Sequence, residues 1–192
     1  MRSARAILRR VIDLQALALG HVLLTVVLWR SRGRAVTVLD IDNTLADSWP
    51  TLTAPVASER ERLAGLALLP GMRATAHDPA IATGDVVVYL SHRPLWFAPL
   101  TLHWLRSAGY DASPLRVILV PSAAAKIGFL RRLADGSRQV DYWDDLSHGT
   151  ERGTTELYAE VIDAVRSLPV TYHGLDEIAA VVSAAAPPAS GR

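Results

Sequence analysis

Cysteine is absent from the 192 residues of the chain, which excludes disulfide bridges and thiolate metal sites. This absence gives no indication of a cellular compartment. An excess of charge is also lacking, because 20 lysine and arginine residues are offset by 19 acidic ones, and the sequence carries no specific signal for nucleic acid. No internal repeat is visible. The length predicts one domain, or one domain with an appendage, and half of the residues are hydrophobic, which is enough for a sizeable core.

Lysine is almost absent, and the one that is present stands in an unusual place. Lys126 is the only lysine in the sequence, and it lies near the start of a predicted helix that Ser122 caps. The helix macrodipole favours cations at the C-terminal end, so an early lysine indicates an anionic partner. The alternative is an ordinary surface lysine.

The longest hydrophobic run lies near the N-terminus, at residues 11–29. Arginines bracket the run, it contains Asp13 near one end, and the helix that it predicts is hydrophobic nearly all round. Its length is close to the ~20 residues that span a bilayer, and the small-residue cleavage site of a signal peptide is missing. We therefore expect residues 1–34 to form an N-terminal hydrophobic helix whose apolar part, residues 11–29, contacts a membrane, a second copy of the chain or the rest of the fold. We expect the protein to be cytoplasmic, or membrane-associated and facing the cytoplasm.

Two aspartates follow a short β-branched run at residues 36–39. This run predicts a buried parallel strand that ends in a polar loop with Asp40, Asp42 and Thr44. Ligands of open α/β sheets bind just beyond the carboxyl ends of strands. Two acids so close repel each other unless a cation or a shared proton compensates, and hard oxygen ligands suit Mg²⁺. The alternative is a solvated turn, or an aspartate that caps the next helix.

Before a short fifth strand at residues 169–172, three further strands are predicted at residues 86–90, 115–120 and 139–143, and polar residues follow the first and the last of these three. Ser91, His92 and Arg93 come after the first of these strands, where Ser91 can cap a helix that a proline helps to start. Arg93 either binds phosphate or pairs with a surface acid, and His92 is interpreted as positional. The pair Asp144 and Asp145 follows the last of these strands. Its carboxylates are either ligands of a cation or part of a polar loop.

These elements occur in the order of the four motifs of the haloacid dehalogenase superfamily, which the chain resembles over residues 35–175. The matches are Asp40, Asp42 and Thr44 for D-x-D-x-T, then Ser91, then Lys126, then Asp144 and Asp145. The resemblance implies an α/β fold, a Rossmann-like three-layer α/β/α sandwich whose mainly parallel five-stranded sheet has the order 5-4-1-2-3. The N-terminal hydrophobic helix comes in addition to it.

The resemblance also implies a role for each matched residue. Asp40 is the nucleophile that forms an aspartyl-phosphate, Asp42 is the general acid and base, and the other catalytic groups are Thr44, Ser91 and Lys126. Phosphate is bound by Asn43, Ser91, His92, Arg93 and Lys126. The Mg²⁺ ligands are Asp40, Asp42, Asp144 and Asp145. Which of Asp144 and Asp145 binds the ion directly is left open. Trp49 and Trp96 are candidates for the mouth of the site, or partly buried packing residues.

We therefore expect a Mg²⁺-dependent phosphomonoester hydrolase in residues 35–185, followed by a disordered tail at 186–192. The first two motifs are about 50 residues apart, which leaves room for a small lid or none. The phosphorylated substrate is not specified. The alternatives are a membrane-associated binding or scaffold protein on the same fold, and a phosphotransferase that uses the same aspartate. Locally we expect an irregular flap at 43–55, helices at 56–68 and 154–168, and turns at 78–85.

Overall fold

The computed structural model describes residues 2–53, 58–135, 138–149 and 154–186, and of residues 2–5, 52 and 53 it describes the backbone only. Residues 187–192 of the predicted tail lie outside this part of the chain. The strands within it are β1 (Val36–Leu39), β2 (Ala46–Asp47), β3 (Ala67–Leu68), β4 (Val86–Ser91), β5 (Val117–Leu119), β6 (Val140–Trp143), β7 (Ser147–His148), β8 (Glu156–Leu157) and β9 (Thr171–His173). The helices are α1 (Arg2–Arg30), α2 (Trp49–Thr53), α3 (Glu59–Ala64), α4 (Asp78–Thr83), α5 (Ala98–Ser107), α6 (Ala123–Ala134), α7 (Ala159–Arg166) and α8 (Leu175–Ala185).

Five of the strands form one parallel sheet, in the order β5-β4-β1-β6-β9. In the order of these five strands along the chain this is 3-2-1-4-5, so the predicted strand order is confirmed. β1 lies in the middle, where Val36 pairs with Val86 on one side and with Val140 on the other. The α/β class is therefore confirmed as a five-stranded parallel sheet flanked by helices, and the carboxyl ends of β4, β1 and β6 are neighbours.

The sheet separates two hydrophobic clusters, because successive side chains of a strand point to opposite faces. Val36 and Val38 of β1 belong to a cluster that α1, α6 and α7 complete. Leu39 belongs to the other cluster, which α3, α4, α5 and α8 complete. Every residue of β1, β4 and β5 is buried, as expected for strands covered on both faces. Each large side chain that is fully buried contributes roughly 1.5–3 kcal/mol, so these clusters hold both helical layers on the sheet.

The N-terminal helix α1 packs on the first cluster through one face. Leu24 and Val27 are fully buried there, and Gly20 lies so close to Phe129 that a Cβ would come within 2.9 Å of its ring. The segment Ala6–Arg30 is long and apolar enough to cross a membrane, by length and composition only. Core helices and signal sequences pass the same test. The structure thus describes the helix against the sheet, and the division into an appendage and a catalytic domain stays a prediction.

The flap predicted at residues 43–55 is more regular than expected. Strand β2 pairs with β3 in an antiparallel ladder, and α2 follows it. The helix predicted at 56–68 is shorter, because α3 begins after Ser58, whose hydroxyl accepts a hydrogen bond from the Glu61 backbone, and it ends at Gly65. Two-residue strands are too short for a periodic hydrophobic pattern, which explains why the sequence did not indicate them.

One further local prediction was wrong, and another placed the start of a helix too early. Residues 78–85, predicted as turns, contain α4, which has Pro79 in its first turn and ends at Gly84 with a φ of +81°. The helix predicted at 154–168 begins only at Ala159, because β8 pairs with β7 in a small hairpin. In the first case, Pro79 and Gly84 were interpreted as turn residues although they begin and end a helix. In the second case, a hairpin without a strand pattern occupies the start of the predicted helix.

Candidate active site

The ends of three neighbouring strands and the start of α6 form a polar pocket of about 110 Å³. Strand β1 leads to Asp40 and Asp42, β4 ends at Ser91, and β6 leads to the two acids of the fourth motif. Helix α6 supplies Lys126 from its first turns, after Ser122 has capped the helix by accepting from Ala125 N. The pocket is lined by Asp40, Asp42, Asn43, Ser91, His92, Ala123, Lys126, Asp144, Asp145, Leu146, Ser147 and Tyr158. The acids at the strand ends, which are up to 105 positions apart in the sequence, therefore meet, as the strand order predicts.

Lys126 is the buried cation of this pocket. Its Nζ donates to Asp40 Oδ1 at 2.8 Å and to Asp144 Oδ2 at 2.6 Å, and only 3% of its side chain is exposed. Burial alone would lower the pKa of Lys126, but the charges of Asp144 and Asp40 outweigh burial and raise it above its usual value. The charged form of Lys126 is therefore favoured, and the anionic partner expected for an early lysine is present twice.

Three buried carboxylates can share one cation. Asp40, Asp144 and Asp145 each offer an oxygen within 4.8 Å of the others. Burial raises the pKa of Asp40 to about 7, with Lys126 opposing and Asp144 adding to the shift. Burial, then the charges of Asp144 and Asp40, raise the pKa of Asp145 to about 8. Near neutral pH these acids therefore hold protons unless a positive charge replaces them.

The charge balance of the pocket matches a divalent cation. When all groups are ionised, four carboxylates are offset by two cations, and two negative charges remain. The groups are Asp40, Asp42, Asp144, Asp145, Lys126 and Arg93. The candidate ligands are hard carboxylate oxygens without sulfur or imidazole among them, which is the donor set that Mg²⁺ prefers. The residues present therefore fit the magnesium site that the motifs imply.

The two acids after β6 have different surroundings. Asp144 accepts from Lys126, from the hydroxyl of Tyr142 and from the backbone N–H of Leu146. Within the described ranges, Asp145 accepts from Ser147 alone, through one oxygen. Asp144 thus orients Lys126, while Asp145 keeps an oxygen free for a cation.

Asp42 makes an ion pair that the sequence did not predict. Arg93 donates to both of its oxygens, from Nε at 2.7 Å and from Nη2 at 2.8 Å, and its Nη1 contacts the hydroxyl of Thr101 at 3.3 Å. Burial would raise the pKa of Asp42, but the hydrogen bonds and charge of Arg93 outweigh it, so the pKa lies below its usual value. Arg93 therefore faces Asp42, not the pocket, and its predicted contact with phosphate stays a prediction without support from its position.

The loop after β1 is fixed by its own polar side chains. Thr44 is fully buried and its hydroxyl accepts from the backbone N–H of Asp145 at 3.2 Å, which ties the first motif to the fourth. Asn43 has a φ of +57°, a left-handed conformation that asparagine tolerates better than most residues, and its side chain accepts from the hydroxyl of Ser48. Both residues shape the loop.

The remaining predicted site residues lie around the pocket. His92 lines it, and it also lines a larger neighbouring groove of about 480 Å³ that contains Trp96. Trp49 lies in a different pocket, which shares Asn43 with the site. The structure therefore brings Trp96 to a groove beside the site and gives Trp49 no contact with the polar pocket.

Sequence reasoning missed several residues that hold the acids in place. Tyr142 of β6 donates to Asp144, which directly follows the strand, and burial raises the pKa of Tyr142 well above its usual value, so it stays a donor. Tyr172 of β9 donates to the Asp144 carbonyl at 3.0 Å. Residues i and i+2 of a strand share a face, so the spacing of Tyr142 and Asp144 was a usable signal.

No family model, curated protein or solved structure matches this chain. Function therefore has to be inferred from the geometry and the chemistry of the site, because one fold can host many functions. The geometry combines buried acids at adjacent strand ends with a single buried ammonium.

Proposed function

We propose that the chain is a Mg²⁺-dependent phosphomonoester hydrolase with a Rossmann-like fold of the haloacid dehalogenase type. The observation that carries the proposal is the contact of Lys126 with Asp40 and Asp144 at the ends of adjacent strands. A carboxylate held beside an ammonium, in a pocket whose two excess negative charges would be balanced by a divalent cation, suits a reaction that brings a phosphate dianion to an anionic nucleophile.

The first half of the reaction is a transfer of the phosphoryl group to Asp40. A carboxylate oxygen of Asp40 forms a bond to phosphorus while the bond from phosphorus to the ester oxygen breaks. The leaving alkoxide takes a proton from Asp42, and Lys126 offsets charge on the phosphoryl oxygens. Ser91, at the end of β4, is within the same pocket and is proposed to donate its hydroxyl to that group. A bound Mg²⁺ would supply further charge neutralisation between phosphate and the acids.

The second half is hydrolysis of the aspartyl-phosphate. Asp42, now ionised, takes a proton from water, the water oxygen bonds to phosphorus, and Asp40 leaves as a carboxylate. General acid and base help of this kind contributes about 10²–10⁴-fold. The ion pair with Arg93 favours the ionised form of Asp42, so it suits the second step and opposes the first. Asp42 therefore has to be protonated against the field of Arg93 when the substrate binds.

Hydrolysis of an aryl phosphate by the full chain tests the proposal. We expect turnover with Mg²⁺, loss of turnover with excess EDTA and recovery when Mg²⁺ is restored. Asp40→Asn should reduce turnover to background while the circular dichroism spectrum is retained. Asp141→Asn is a matched control, because this aspartate lies on β6 and faces a different cavity. Full activity of Asp40→Asn, or after exhaustive chelation, would refute the proposal.

A further inference from the structure

Helix α1 has a second apolar face, opposite the one that packs on the sheet. Seven exposed positions, spaced three or four residues apart, form a stripe along it: Ile7, Val11, Leu14, Ala18, Val22, Thr25 and Trp29. Five of these are large hydrophobic side chains that are between 44% and 65% exposed. The stripe runs for about 33 Å at 1.5 Å per residue. A helix that is hydrophobic nearly all round therefore has a protein partner on one side and an uncovered apolar face on the other.

An anionic bilayer fits the uncovered face better than water does. Soluble proteins rarely expose an apolar patch of this extent. Residues 1–34 carry seven arginines and a single acid, Asp13, and the described arginine side chains at both ends of the stripe are exposed. Apolar residues bordered by arginines are typical of helices that lie in the headgroup region of anionic membranes. Since Leu24 and Val27 are buried against the sheet, the helix in this position lies along a bilayer surface and does not cross it.

A groove beside this helix adjoins the polar pocket. It has a volume of about 480 Å³ and runs between the N-terminal half of α1 and the segment after β4. The apolar residues that line it include Leu8, Ile12, Ala16, Leu95, Trp96 and Val120. His92 lines both the groove and the polar pocket, so the two adjoin at this residue. A small polar site beside a larger apolar groove matches a ligand with a phosphate at one end and a hydrocarbon chain at the other.

We propose that the substrate class is a lipid phosphomonoester presented in an anionic bilayer, with the stripe of α1 in the bilayer surface and one acyl chain in the groove. This inference rests on the proposed function. The bond from phosphorus to the lipid oxygen breaks, the phosphoryl group passes to Asp40 and then to water, and the lipid alcohol leaves with the proton from Asp42.

Activity of the full chain on substrates that share a headgroup and differ in their chains tests the inference. The substrates are glycerol phosphate, dihexanoyl phosphatidic acid and dioleoyl phosphatidic acid in vesicles of phosphatidylcholine and phosphatidylglycerol, and an aryl phosphate reports basal turnover. Each methylene that is buried contributes about a fourfold increase in affinity. Burial of four methylenes in the groove therefore predicts that turnover of dioleoyl phosphatidic acid is preferred roughly 200-fold over turnover of glycerol phosphate. The protein should also sediment with the anionic vesicles more than with vesicles of phosphatidylcholine alone.

Substitutions at exposed positions separate the groove from the stripe. Leu8→Asn, in the groove, should lower the ratio of lipid to aryl phosphate turnover by at least about tenfold, and Val22→Asn, in the stripe, should reduce vesicle binding. Ile81→Asn is the matched control, because Ile81 is an exposed isoleucine of α4 away from both features. It should change neither quantity.

The outcomes distinguish the two proposals. Turnover of neither the aryl phosphate nor the lipids overturns the proposed function and the inference together. Aryl phosphate turnover with equal rates on glycerol phosphate and phosphatidic acid overturns the inference alone. A chain that self-associates without lipid, becomes monomeric with Val22→Asn and does not bind vesicles assigns the stripe to a second copy and also overturns the inference.

Discussion

Replacing Arg93 with methionine removes the cation that both oxygens of Asp42 contact while keeping an unbranched apolar side chain. Arg93 is 3% exposed and Asp42 is 28% exposed. Loss of one partner from a buried ion pair costs about 3–5 kcal/mol, and the partial exposure of Asp42 sets the expectation at about 3 kcal/mol, the low end of that range. For a chain of this size, such a loss lowers Tm by about 6–12 °C.

The pH dependence of this effect has a definite sign. The pKa of Asp42 lies below its usual value in the folded state, so the ion pair contributes stability above the unfolded value of about 4, and this contribution is lost as the pH falls through the folded pKa. The difference in the free energy of unfolding between the wild type and Arg93→Met should therefore be largest above about pH 5 and shrink below pH 4.

Urea unfolding of four proteins measures the interaction: the wild type, Arg93→Met, Asp42→Asn and the double variant. In the Asp42→Asn background we expect the arginine substitution to cost about 1 kcal/mol or less, because the charge that it neutralises is gone. Arg116→Met is the control, since Arg116 and Asp111 form a surface pair, 21% and 60% exposed, worth less than about 1 kcal/mol. Equal costs of Arg93→Met with and without the Asp42 carboxylate would refute the reasoning.

Three other predictions concern metal, catalysis and the N-terminal helix. Without metal, the pKa of Asp40 at about 7 and that of Asp145 at about 8 exceed the unfolded values near 4, so the folded state binds extra protons and its stability should fall as the pH rises from about 4 to about 8. Mg²⁺ should therefore raise Tm more at pH 8 than at pH 6, and a Tm shift that does not grow with pH contradicts this prediction. Lys126→Met should lower kcat for an aryl phosphate by about 10²–10³-fold, and unchanged kcat would remove the lysine from the mechanism. Leu24→Ala should cost about 2–5 kcal/mol in urea unfolding, as for a buried core leucine, and a cost below about 0.5 kcal/mol would mean that α1 leaves the sheet in solution.

The sheet and most of the pocket were predictable because both depend on local pattern. Asp40 and Asp144 each directly follow a strand, and Ser91 ends one. Parallel strand ends meet at one edge of a sheet, so residues at such ends converge once the strand order is known. The position of Lys126 was predictable for another reason, since a cation early in a helix needs an anion nearby.

Side-chain partners were not predictable, because they depend on which loops the fold brings together. From the sequence, phosphate and a surface acid were both candidate partners of Arg93. In the structure its partner is Asp42, which is 51 residues away. Likewise, a helix that is hydrophobic all round has no face that a periodic pattern assigns to the core. The packing face of α1 is set by the close approach of Gly20 to Phe129, a contact across 109 residues.

The covalent step at Asp40 can be observed by mass spectrometry. The full chain is mixed with an aryl phosphate and Mg²⁺, quenched in acid within the first turnovers, digested and mapped. We predict one added phosphoryl group on Asp40, which hydroxylamine removes and which is absent from Asp40→Asn. Asp42→Asn should prolong its lifetime, because the base for hydrolysis is missing. Turnover without an adduct on Asp40, or an adduct on Ser91 in its place, would contradict the proposed mechanism.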